Sequence, residues 1–319
     1  MQALWMVLAA FFFAGMAVCV KFASTSFSSF ELVFFRGLVS LAFMAVVLRA
    51  SGTPWRTPVP LMHLTRSIIG ATSLGAWFYA IAHLPVATAM TLNYMSGVWI
   101  AAFIVGGSLL YGGQEKQGAL LVTVLMGFAG VVMTLHPTIE KDQLFAGVVG
   151  LLSGISAAMA YMQVTALGKA GEPETRTVFY FSLGTIAVGA ISLPLGKHTD
   201  WSQIHWQEAA WILPIGVLAS LGQLAMTRAY RKGSTLVVAS MQYSGIVFAA
   251  LFGALLMDEE IEALGWAGMA VIVVSGLIAT YLRTRALPKT PKPQNPKTPK
   301  LESKNFIHVI RLIYSKFNG

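Results

Sequence analysis

Ten apolar runs follow one another along the chain, at 3–21, 30–48, 66–83, 86–111, 117–136, 145–167, 177–195, 209–229, 234–257 and 263–283. Each is near the ~20 residues that a helix needs to cross a hydrocarbon core. In lipid every backbone polar group must be bonded internally, which leaves helices or closed barrels, and runs this long exclude barrel strands. The pattern predicts an all-α integral membrane protein of ten transmembrane helices. No Lys or Arg precedes the first run, so 3–21 reads as a retained span rather than a signal peptide. With the N-terminus in the cytoplasm, eighteen Lys/Arg fall in the inner connections and C-terminal tail, against Lys21, Lys141 and Lys197 outside. That asymmetry orients the chain with both termini cytoplasmic.

The runs also repeat. Ser96-Gly97-Val98-Trp99-Ile100-Ala101-Ala102 aligns with Ser244-Gly245-Ile246-Val247-Phe248-Ala249-Ala250, and Phe128-Ala129-Gly130-Val131 parallels Val274-Ser275-Gly276-Leu277. Five helices are followed by five similar ones. Because five is odd, the second copy enters the membrane from the opposite side. Inverted repeats of this kind build secondary transporters, with substrate held near the midplane between the halves around a central cavity. The expected organisation is a first repeat over 1–140, a second over 141–284, and a Pro/Lys-rich cytoplasmic tail over 285–319. The tail reads as extended and disordered.

Composition agrees with a lipid environment and changes the meaning of the charge. Of 319 residues, 56% are hydrophobic and 11% charged, where a soluble domain carries about a quarter charged. The net charge of +9 would fit a nucleic-acid binder, but residues 285–319 hold eight Lys/Arg against Glu302 alone. The basicity belongs to the tail, and no nucleic acid is expected. The expected partners are a small-molecule substrate and the lipid bilayer, for a chain acting as a monomer or weak homo-oligomer. Cys19 is the sole cysteine, so no intramolecular disulfide forms.

No Asp or Glu lies in the middle of a run, and the six His sit near run ends or outside them. An intramembrane enzyme would need a carboxylate pair, a Ser/His pair or a metal cluster at depth. The chain is therefore read as a non-enzyme needing no metal and no cofactor. The same lack removes a buried proton relay and favours passive facilitation.

Phe34-Phe35-Arg36-Gly37-Leu38 early in the second run and Leu255-Leu256-Met257-Asp258-Glu259-Glu260-Ile261 after the ninth resemble motifs of the drug/metabolite transporter superfamily, EamA type. The resemblance covers residues 3–283. Within that superfamily the chain looks most like the bacterial exporters of aromatic and other apolar amino acids, which implies an inner-membrane location and outward movement. It departs where many members carry Glu-Pro, since Ser96-Gly97 and Ser244-Gly245 stand there. The acidic signature is nearly lost after the fourth run, at Gly112-Gly113-Gln114-Glu115.

Candidate site residues cluster in the fourth and ninth runs. Asn93, Ser96 and Gly97 share one helical face at i, i+3, i+4. Small residues permit close helix packing, the simpler role for both Ser-Gly pairs. The amides of Asn93 and Gln242 need several hydrogen-bond partners that lipid does not supply, which places them at a wet cavity. Trp77, Tyr79, Tyr94, Trp99, Tyr161, Tyr180 and Tyr243 can stack on a planar substrate, with Trp99, near the middle of its run, the indole preferred; Met95 suits a tolerant apolar wall, and Gln163 and Gln223 are further polar candidates. Through the Ser-Gly pairs, Asn93 aligns with Met241, Tyr94 with Gln242 and Met95 with Tyr243, a permutation that fits an asymmetric ligand. Arg36 is the one ionised group well inside a run. It can meet a substrate carboxylate or gate the site, but a structural arginine facing Glu31, backbone carbonyls or headgroups is preferred.

The resulting expectation is export of amino acids, or similar small metabolites, by alternating access. The alternatives are export of drugs, nucleobases or other metabolites, with or without proton coupling, and a non-transporting membrane assembly or sensor protein.

Overall fold

The computed structural model describes residues 4–84, 86–110, 118–136, 141–195, 199–200, 202, 204–256 and 261–286, and their regular structure is entirely helical. The α-helices among them are α1 (Leu4–Ala23), α2 (Ser29–Ala50), α3 (Pro60–His83), α4 (Val86–Tyr94), α5 (Ser96–Leu110), α6 (Gly118–Leu135), α7 (Leu144–Lys169), α8 (Glu174–Ser192), α9 (Trp206–Ala209), α10 (Ile212–Lys232), α11 (Thr235–Gln242), α12 (Ser244–Leu256) and α13 (Ala263–Ala286). The expected disordered tail from residue 287 onward, Gly112-Gly113-Gln114-Glu115 and Asp258-Glu259-Glu260 lie outside the described residues.

Eight stretches among the described residues are long and apolar enough to cross a membrane. They comprise α1, α2, α4 with α5, α6, α7, α9 with α10, α11 with α12, and α13. The helices α3 and α8, expected as the third and seventh spans, are long enough at 24 and 19 residues but are not among the eight. Their polar side chains lower the mean hydropathy, and several are used between helices. Ser67 donates to the Tyr180 carbonyl at 3.1 Å and Ser73 to the Ser153 carbonyl at 2.9 Å. Chain length alone does not separate such polar-bearing helices from the more apolar ones. Apolar residues such as Val46, Phe145, Ile191 and Leu277 are exposed and form the surface offered to lipid.

The fourth and ninth runs, predicted as continuous helices, are each interrupted by a single residue, Met95 between α4 and α5 and Tyr243 between α11 and α12. The two breaks fall at aligned positions. At the second, Ser244 Oγ takes the Met241 carbonyl at 2.7 Å, and the Ile246 amide turns to the Tyr243 carbonyl at 3.0 Å, a tighter three-residue step. A serine hydroxyl that competes for a backbone carbonyl bends a helix in this way.

The most extensive packing pairs α1 with α10, α3 with α7, α2 with α8, and α6 with α13. A core of Ile100, Val124, Ala158, Met226, Tyr230 and Tyr243 fills the space around the interrupted helices. One end of the bundle is fastened by polar links. Glu172, after α7, accepts from the Thr57 hydroxyl at 3.0 Å and Arg176 Nη1 at 3.4 Å, and pairs with His63 Nε2 at 2.9 Å. Arg176 also donates to the Arg56 carbonyl, Tyr180 to the Trp55 carbonyl, and Arg231 to Glu174. These bonds pin the α2–α3 connection and the end of α10 onto the α7–α8 turn.

Candidate functional site

A cavity of ≈ 160 Å³ lies between α1, α2, α3, α4, α7, α8, α10, α11 and α12. Helix faces, rather than loops, supply its walls. On α3 the positions Arg66, Gly70, Ser73 and Trp77 recur at four-, three- and four-residue steps, so they form one stripe along the cavity. From α1, the small residues Ala10, Ala14 and Ala17 keep the opposite wall open.

Of the residues expected at substrate, Asn93, Tyr94, Tyr161, Gln223 and Gln242 line this cavity, as do Arg36 and Gly245. Tyr79, Met95, Trp99, Gln163, Tyr243, Ser96, Gly97 and Ser244 stand outside its wall. Tyr79 stacks on His83, with ring centroids 4.1 Å apart, near the end of α3. Met95 occupies the break after α4. Trp99 packs toward Phe103 and the core, its Nε1 buried without an acceptor among the described residues. Gln163 Oε1 is likewise buried without a donor.

Tyr243 is fully buried and belongs to the core. Its hydroxyl lies over Gly97, and its ring edge stands 2.6 Å from where a Cβ on Gly127 would be. Tyr94 makes the reciprocal contact, since a Cβ on Gly245 would stand 2.7 Å from its hydroxyl. Each tyrosine is thus seated on the glycine of the other half's Ser-Gly pair. The glycine of each pair is packed against a tyrosine of the other half, and Tyr243, expected at the substrate, is one of the two.

A polar chain runs behind the wall. Tyr161 stacks on Tyr230 with centroids 5.4 Å apart and planes 13° from parallel. The Tyr230 hydroxyl donates to Gln242 Oε1 at 3.3 Å, and Gln242 Nε2 donates to Ser96 Oγ at 3.2 Å. On the other side, Asn93 Nδ2 donates to Ser153 Oγ at 3.3 Å. The Asn93 and Gln242 amides are therefore fixed in orientation by protein groups.

The charges in the wall are all positive. No Asp, Glu or His is found among the described lining residues, whereas Arg36 and Arg66 both are. Glu31, the acid expected opposite Arg36, is used elsewhere. It accepts from the Ser28 amide at 2.9 Å in a capping box at the start of α2, and from the Thr199 hydroxyl. Arg66 escapes a reading by charge count, which assigns it to the positive inner flank. The signal that could reveal it is its spacing to Gly70, Ser73 and Trp77. Trp77, not Trp99, supplies the indole of the wall.

The constellation offers neither a nucleophile with a base nor a metal cage among the described residues. What it can do is bind. Comparison with known proteins agrees with a transporter. Residues 1–136 and 144–281 each match the EamA-like transporter family. The chain is 35% identical to the pseudopaline exporter CntI of Pseudomonas aeruginosa, over 84% of this chain and 92% of that protein. It is 26% identical to a riboflavin transporter of Rhizobium johnstonii, over 86% of this chain and 89% of the relative. A crystal structure at 18% identity superposes with a TM-score of 0.77, covering 89% of this chain and 99% of the other, and shares its fold. These relatives are named for pseudopaline and riboflavin, so the membership they show is broader than aromatic amino acid export. The chain is a multi-pass membrane protein that belongs to the EamA-like transporter family.

Proposed function

We propose that this protein exports amino acids and small amino-acid-derived metabolites across the bacterial inner membrane by alternating access. The observation that carries the reading is the central cavity. Its wall draws on helices from both sequence repeats and combines oriented amides, phenols and an indole with apolar surface. Outward movement takes support from the 35% identical relative, which is named as an exporter.

The architecture behind this proposal is ten spans in two inverted five-helix repeats, with both termini cytoplasmic. The pairing of helices supports it. If α7, α8, α10, α11–α12 and α13 correspond to α1, α2, α3, α4–α5 and α6, then α1 on α10 becomes α7 on α3. The pairs α2 with α8 and α6 with α13 map onto themselves. The two separate family matches divide the chain at the same place. Facilitation down a gradient is the coupling favoured, because no acidic or histidine side chain faces the cavity among the described residues.

Metabolite profiling of a deletion strain and its complemented parent tests the function. Intracellular accumulation of amino acids or their derivatives, with depletion from the medium, is expected on deletion. Identical profiles in the two strains would sink the export reading. In proteoliposomes, strong stimulation by an imposed pH gradient would sink facilitation.

A further inference from the structure

Two guanidinium groups share the cavity without a counter-charge. Arg36 is 9% exposed and Arg66 3%, and both line the same space. The ion pairs seen among the described residues join Glu172 to His63 and Arg176, and Glu174 to Arg231, and none includes Arg36 or Arg66. Arg66 Nε and Nη1 are buried with no hydrogen-bond acceptor among the described residues. The guanidinium of Arg66 is held by packing instead, its carbon 4.2 Å from the Phe181 ring centroid. Its Nη1 folds over Gly70, into space that a Cβ would occupy. Arg36 and Phe181 also border a small adjoining void with Gln223. Arg66 therefore packs on the Phe181 ring, and Arg36 borders the same cavity as that ring.

Leaving buried charge uncompensated is strongly unfavourable, and ionised side chains inside a membrane protein mark substrate pathways. A planar guanidinium suits a carboxylate, which it can meet with two parallel N–H donors. The space holds roughly ten water-sized groups at about 10–15 Å³ each, more than an inorganic ion fills. Much of the remaining wall is apolar, including Leu74 and Met90, and suits a carbon skeleton.

We propose that the transported substrate is an organic anion with at least two carboxylates, one bound by Arg36 and the other by Arg66. This rests on the transporter reading above and narrows it. An ordinary amino acid occupies one guanidinium, while an amino acid bearing a further carboxylate occupies both.

The test uses the full-length chain in nanodiscs, with affinities from calorimetry for phenylalanine, N-carboxymethyl-phenylalanine and inorganic phosphate. The diacid should bind at least about tenfold tighter than phenylalanine, the gain expected from one more charge-assisted contact. Arg36→Gln and Arg66→Gln should each remove most of that preference, and Arg66→Lys should keep part of it. Equal binding of the two compounds, or a preference unchanged in both glutamine variants, would overturn the proposal. So would phosphate competing as well as the diacid, which would mark a single-anion site. Should the variants fail to fold, the wild-type preference and its resistance to phosphate still decide. Counterflow in proteoliposomes separates the two readings. Transport of phenylalanine without preference for the diacid removes only this proposal. Tight diacid binding with no transport of either compound removes export of such compounds and, with it, this proposal.

Discussion

Gln242 Nε2 donates to Ser96 Oγ at 3.2 Å, across 146 residues of sequence. The bond ties α11 to α5 immediately behind the cavity wall, where both groups are buried. Ser96→Ala leaves that N–H without its acceptor, and a loss of about 1–3 kcal/mol in stability is expected. Gln242 Oε1 also accepts from the buried Tyr230 hydroxyl, so Gln242→Leu has to be combined with Tyr230→Phe before part of the loss is recovered. Denaturation of Ser96→Ala and of the triple variant in detergent checks both statements.

A second prediction concerns the seat of Tyr94. With the Tyr94 hydroxyl 2.7 Å from a Cβ on Gly245, Gly245→Ala should cost about 1–3 kcal/mol by overpacking. The ring carbon behind that hydroxyl is 3.7 Å away, an ordinary contact. Adding Tyr94→Phe should therefore restore most of the stability. Thermal unfolding of Gly245→Ala and of the double variant would show it.

Tyr243 gives the opposite expectation for a hydroxyl. It is buried without a hydrogen-bond partner among the described residues, a state that costs about 1–3 kcal/mol. Tyr243→Phe should be neutral or stabilising, and it should not weaken substrate binding, because the ring lies outside the cavity. An unfolding midpoint combined with a binding isotherm reads both.

Glu172 holds the fastened end of the bundle. Its side chain is 2% exposed and meets Thr57, His63 and Arg176 together. Glu172→Ala strands those partners, and a destabilisation of about 3 kcal/mol or more is expected for breaking a buried pair. Protease accessibility of the connection around Trp55 should rise in the same variant, since its anchors lose their orientation.

Much of this molecule is legible in its apolar runs. Among the described residues the predicted runs are helical, because lipid leaves a long apolar segment few other choices. What escapes is the content of individual helices. The one-residue breaks at Met95 and Tyr243 are not registered by run length, and the one at Tyr243 depends on the Ser244 hydroxyl taking the Met241 carbonyl. The site is legible where a residue's chemistry demands water or a partner, as with Asn93 and Gln242, which do reach the cavity wall. It is illegible where facing decides, so Tyr243 turns into the core and, of the two candidate indoles, Trp77 rather than Trp99 reaches the wall. Arg66 escapes because a charge near a run end reads equally well as a headgroup anchor. Only the fold shows it turned inward, over Gly70 and against Phe181.

The crossed seating of Tyr94 on Gly245 and Tyr243 on Gly97 has a mechanical consequence. The interrupted helices α4–α5 and α11–α12 cannot slide past one another without lifting both phenols from their seats, so together they are expected to behave as a fixed axle. The swing that admits and releases a solute is then left to the other pairs that line the cavity, α1 with α10 and α3 with α7. Cross-linking across the axle should leave turnover running, and cross-linking either of these pairs should stop it.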